Sequence, residues 1–160
     1  MSHIISIDST YSKEERYLQL LSQIKAIVAG ETDLIANLAN ITSILKETFS
    51  WWWVGFYFVK ENELVLGPFQ GPLACTRIAF GKGVCGSAWS RKQTIMVDDV
   101  ETFEGHIACS SASRSEMVIP IMRNHEVLDV LDIDSEKLAQ FDVIDQQYLE
   151  ELTALIALLF

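Results

Sequence analysis

The sequence is short of positive charge, of cysteine and of long apolar runs, and each shortage excludes something. Twelve Lys and Arg stand against 22 Asp and Glu, a formal charge of −10 at pH 7. Long-range repulsion therefore opposes nucleic acid or an anionic membrane as partner. No apolar run approaches the roughly 18 to 20 residues that cross a bilayer. The polar start MSHIISIDSTYSKEE lacks the basic and apolar regions of a secretion signal, so the expected address is the cytoplasm. No repeat, low-complexity tract or Pro/Gly-rich linker divides the 160 residues, and a single domain over 1–160 is expected. There are three cysteines, Cys75, Cys85 and Cys109, and no C-x-x-C pair. Neither a secreted disulfide framework nor a compact zinc module fits that spacing well.

What is there is apolar: 49% hydrophobic residues against 21% charged, the composition of one compact globular domain. Ser12 with Glu15 forms a capping-box pattern before Tyr17, Leu20, Leu21, Ile24, Ile27 and Val28, whose spacing marks a buried helical face ending near Gly30. Thr32 and Asp33 open a second helix, with Leu34, Leu38, Ile41, Leu45 and Phe49 on one side. From Trp51 the period changes to two. Trp52, Val54, Phe56 and Phe58 read as the core face of a strand, while Trp53, Gly55, Tyr57 and Val59 line the other. On that second face two rings with polar handles flank a glycine that leaves space, as in the wall of a pocket.

Further strands are expected at Leu64 to Phe69, Ala74 to Phe80, Thr94 to Val97, Met117 to Met122 and Val127 to Ile133, with a hairpin turn at Arg123 to Glu126. Gly81-Lys82-Gly83 leads into a short helix, Val84 to Arg91, and Asp142 caps a last one. Helices at both ends of a mostly antiparallel sheet of about six strands make an α+β domain.

Two constellations carry chemistry. Cys109 sits in GHIACSSASRSE, a serine-rich connection where a thiol can be exposed and nucleophilic; His106 is three residues away. A cysteine is also among the most buried residue types, so inert packing competes with function for each of the three. Cys75 or Cys85 could close a disulfide onto an oxidised Cys109, and a zinc site using all three with His106 is the weaker alternative. The second constellation is acidic. In VLDVLDIDS the strand period puts Asp132 and Asp134 on one face with Leu128 and Val130, and Glu116 heads the strand EMVIPIM. Carboxylates following an apolar stripe meet water, cap a helix, await an ammonium group, or hold a proton at raised pKa. Gly81-Lys82-Gly83 matches no phosphate-loop pattern and reads as a tight turn, although its N–H groups could receive a carboxylate.

The strings WWWVGFYF, LGPFQGPLACTRI, GKGVCGSAW, VDDVETFEGHIAC, SEMVIPI and LDIDS, in this order, closely resemble the free methionine-(R)-sulfoxide reductases, which are stand-alone GAF-domain enzymes. The resemblance runs from about Trp51 to Ser135 and includes the closing FD-x-x-D helix. It implies a GAF-like fold and reduction of free L-methionine-(R)-sulfoxide, with Cys109 as nucleophile, Cys75 as principal resolving cysteine and Cys85 as a third cysteine of less defined role. Trp53 and Tyr57 match the aromatic pocket residues, and Glu116, Asp132 and Asp134 the carboxylates around the substrate. It also implies a thioredoxin-like reductant, a homodimer, and no metal or organic cofactor. A non-catalytic ligand-binding or redox-sensing GAF module is the competing reading. Three positions depart from the family's pattern: Ser110 and Arg114 near the nucleophile, where rate or affinity could change, and Asp129, where glycine is favoured. Asp129 falls on the opposite strand face from Asp132, so little effect is expected there.

Overall fold

The computed structural model describes residues 7–8, 10–107, 109 and 111–160. The first helix, α1 (Lys13–Val28), begins at the capping box: the Glu15 backbone N–H donates to the Ser12 hydroxyl, and the Ser12 N–H to the Glu15 carboxylate. Asp33 caps α2 (Leu34–Phe49) by accepting from the Ala36 N–H. A second capping box, Asp142 with Asp145, starts α4 (Val143–Ile156). Lys13 ties the two ends of the chain together, reaching Asp142 at 2.8 Å and Asp145 at 2.7 Å.

Between these helices lie β1 (Trp53–Lys60), β2 (Glu63–Gln70), β3 (Arg77–Ala79), α3 (Gly83–Arg91), β4 (Ile95–Val97), β5 (Ser115–Arg123) and β6 (Glu126–Ser135). They form one six-stranded sheet in the order β3-β2-β1-β6-β5-β4, every neighbouring pair antiparallel. Asn124 and His125, at φ 52° and 66°, make the tight β5–β6 turn whose backbone twist matches its strands. The short third strand differs from the expected Ala74 to Phe80. Residues 71–76 leave the sheet because Cys75 is committed elsewhere, as described below.

The strand alternation separates two cores. Val54, Phe56, Met117, Ile119, Leu131 and Ile133 pack against α1, α2 and α4. Trp53, Tyr57, Val118 and Val130 point the other way, against Val84, Cys85 and Ala88 of α3. The apolar C-terminus is largely absorbed by the first core, through Leu152, Ile156 and Ala157, leaving Leu158 outward. No helix among the described residues is long and apolar enough to cross a membrane.

Asp129 lies on the helix-packed side, as its strand parity requires, but it is fully buried, and the backbone N–H groups of Tyr57 and Val130 offset that burial only in part. Burial pushes its pKa well above the ordinary aspartate value. The substitution therefore bears on the stability of that face rather than on the pocket side of the sheet.

Candidate active site

The register of β1, β6 and β5 assembles the acidic side chains. Glu116 stands directly opposite Asp134, which stands opposite Trp53; one step along, Asp132 stands between Val118 and Gly55. Like charges directly opposite one another are unfavourable when both ionise. All three carboxyls face the α3 side, and they line a cleft of about 580 Å3, counting its open mouth, together with Trp53, Tyr57 and Cys85. Among the described residues no lysine or arginine lines it.

The acids consequently hold protons. Burial first, then the charges of Asp132 and Asp134, raise Glu116 well above the usual carboxylate range. Burial and Asp134 do the same to Asp132, one of whose oxygens has no hydrogen-bond partner. Asp134 is raised less, to about 6, since the Ser113 hydroxyl donates to it and favours its charged form. The Cys85 thiol, buried and free, sits with its sulfur 3.9 Å from Glu116 Oε1, and burial keeps it protonated. Near neutral pH the cleft thus presents one carboxylate, Asp134, beside an acid pair that retains at least one proton.

Cys75 and Cys109 are joined in a disulfide, with Cα atoms 5.5 Å apart and a sequence separation of 34. Cys109 is exposed at the cleft mouth, while Cys85 takes no part in the bond. The four-ligand zinc arrangement of three cysteines with His106 does not form, because two of its thiols are bonded to each other. Among the described residues, the group of three whose potential ligand atoms all lie within 4.8 Å of one another is Cys85, Glu116 and Asp132.

The aromatic pair acts on the cysteine loop as well as on the cleft. The Trp53 indole N–H donates to the Pro72 carbonyl at 3.1 Å, and the Tyr57 hydroxyl to the Cys75 carbonyl at 2.9 Å. Both polar handles therefore pin residues 72–75 against the sheet. The space that Gly55 vacates is not left open: the Trp53 ring folds over it, stacked between Tyr57 and Phe69 at centroid distances of 5.9 and 5.4 Å. A Cβ at Gly55 would fall on the Trp53 ring and the Phe69 Cβ. Gly55→Ala should displace the indole, costing about 1 to 3 kcal/mol of stability and raising the KM for any ligand that the ring walls. Thermal melts and saturation curves test this, and an unchanged KM would detach Trp53 from binding.

Trp52 departs from the strand alternation. It precedes β1, where the pleat has not begun, and the Lys46 ammonium at the end of α2 binds the carbonyls of Trp51 and Trp52 and turns the chain there. Its side chain packs on the α3 side and lines the cleft, instead of joining Val54 and Phe56. His106 also lines the cleft, with Nε2 3.7 Å from Glu116 Oε2. Ser110 lies outside the described residues, and Arg114 is exposed.

A GAF domain family model matches residues 31–160. The chain is 57% identical over 146 residues to GAF domain-containing protein A of Dictyostelium discoideum, covering 91% of this chain and 92% of that protein. It is 45% identical over 144 residues to the free methionine-R-sulfoxide reductase of Escherichia coli, covering 89% of this chain and 87% of the relative. Among solved structures, free methionine-R-sulfoxide reductase from Neisseria meningitidis in complex with its substrate superposes with a TM-score of 0.94 at 52% identity, covering 98% and 95% of the two chains.

Proposed function

The chain belongs to the GAF domain family and, within it, to the free methionine-R-sulfoxide reductases, and from that premise we propose how its own residues carry the reaction. The activity is reduction of free methionine-(R)-sulfoxide to methionine. The observation that carries the residue assignment is the Cys75–Cys109 bond at the mouth of a cleft walled by aromatic rings and buried acids.

Free methionine sulfoxide brings an ammonium group, a carboxylate, and a methyl beside a polarised S=O. Asp134, the least raised of the three acids, takes the ammonium. The N–H groups that open α3, left without a side-chain cap at Lys82, take the carboxylate. Trp53 and Tyr57 wall the methyl group. The Cys109 thiolate attacks the substrate sulfur while the Glu116–Asp132 pair gives a proton to the departing oxygen. The protonated oxygen passes from the substrate sulfur to the Cys109 sulfur as the transient bond between the two sulfurs breaks, so methionine leaves and Cys109 becomes a sulfenic acid. The Cys75 thiol attacks that sulfur, water departs, and the disulfide closes. An external dithiol protein of the thioredoxin kind reopens it, which suits a cytoplasmic address. Cys85, held protonated among the acids, supports the proton-bearing cluster in this scheme, and the working unit is a homodimer.

The test is a thioredoxin-coupled assay following NADPH oxidation with the separated R and S epimers of free methionine sulfoxide. Consumption with R and none with S is expected. Binding of the R epimer without NADPH oxidation would instead make the chain a ligand-binding module.

A further inference from the structure

The reaction empties a proton from an acid that lines the inner cleft and is itself almost wholly buried, and something must refill it. Glu116 is 6% exposed; burial makes its neighbours Asp132 and Cys85 reluctant to give up a proton, and Asp134 is the carboxylate of the cleft. His106 reaches this cluster from the loop that also carries Cys109. Its Nε2 lies 3.7 Å from Glu116 Oε2, and its side chain is 15% exposed, so the ring bridges the buried acid and the cleft mouth. We propose that His106 is a positioning residue that returns a proton to Glu116 after each turnover, passing it from solvent through the imidazole ring.

The proposal rests on the reductase reading above. Glu116 gives its proton to the substrate oxygen and is left as a carboxylate. The neutral His106 ring donates its Nε2 proton to Glu116 and takes another at Nδ1 from water, after which the tautomer resets. The Cys109 thiol releases one proton to solvent on ionising, so one enters and one leaves in each cycle. The titratable groups that line the cleft with the ring are Glu116 on β5, Asp132 and Asp134 on β6, Cys85 on α3 and Tyr57 on β1, and partial burial lowers the His106 pKa and favours the neutral imidazole. A protonated Glu116 offers it no charge to pair with. In the oxidised state 3.7 Å is slightly beyond hydrogen-bond contact, and the disulfide bond at Cys109 lies only three residues away.

His106→Gln keeps hydrogen-bonding capacity but cannot exchange protons, and His106→Ala leaves room for free imidazole. Reduced enzyme starts with Glu116 already loaded. The single-turnover burst of methionine should therefore match wild type in both variants, while steady-state turnover at saturating dithiothreitol should fall roughly tenfold. Imidazole should restore turnover in His106→Ala and leave wild type unchanged. Steady-state rates within about twofold of wild type, a burst slowed in proportion to turnover, or no response of His106→Ala to imidazole would each overturn the relay. Absence of a methionine burst in wild type would remove the reductase reading itself, a result distinguishable from the other three.

Discussion

Replacing Cys109 with serine should abolish turnover while leaving the fold in place, a loss of at least about 10⁴-fold because the covalent route disappears. The side chain is exposed at the cleft mouth, so the reduced protein loses no packing, and a hydroxyl is a far weaker nucleophile toward sulfur than a thiolate. Cys75→Ser should behave differently. The first methionine should still form in a burst, since Cys109 and the acids are intact, and turnover should then slow as the sulfenic acid waits for an external thiol. Quenched-flow measurement of methionine, with dimedone trapping of the sulfenic acid and circular dichroism for the fold, separates the two variants. A Cys75→Ser enzyme with unchanged steady-state turnover would remove Cys75 from resolution. Residual wild-type-like activity in Cys109→Ser would move the nucleophile elsewhere, with Cys75 and Cys85 the remaining thiols.

The parts of this site that could be read from sequence are those set by strand parity and by a matched motif. Period two placed Asp132 with Asp134, and the register then brought Glu116 opposite Asp134. The pairing of Cys75 with Cys109 rests on the resemblance, since a sequence separation of 34 says nothing about a Cα separation of 5.5 Å. Trp52 breaks the expected alternation because the strand begins one residue later, at Trp53, and Lys46 redirects the backbone before it. Gly55 was correctly seen as a missing side chain, but which ring fills the gap depends on the rotamer that Trp53 adopts over it. The polar handles of Trp53 and Tyr57 reach carbonyls of a loop 19 and 18 residues away, contacts that no local pattern encodes. His106 lies near the nucleophile in sequence, yet its 3.7 Å approach to Glu116 is a long-range contact that no local pattern encodes.

Glu116→Gln isolates the proton from the shape of the site. The amide preserves size and can donate a hydrogen bond, but it has no proton to transfer to the departing oxygen, so the burst rate itself should fall by about 10²- to 10³-fold. Wild-type activity should decline as pH rises through the raised Glu116 pKa, and the variant should lose that alkaline limb. Stability should fall over the same direction of pH. Glu116 binds its proton more tightly folded than unfolded, so its favourable contribution is complete below the unfolded value of about 4.3 and is lost as pH rises through the folded value. Asp134 adds a similar loss between about 4 and about 6. Glu116→Gln removes one ionisation from that crowded row, so its melting temperature should match wild type near pH 4 and exceed it increasingly toward pH 8. Parallel melting curves across that range would mean that Glu116 is already ionised in the folded protein, and the proton for the sulfoxide oxygen would then have to come from Asp132.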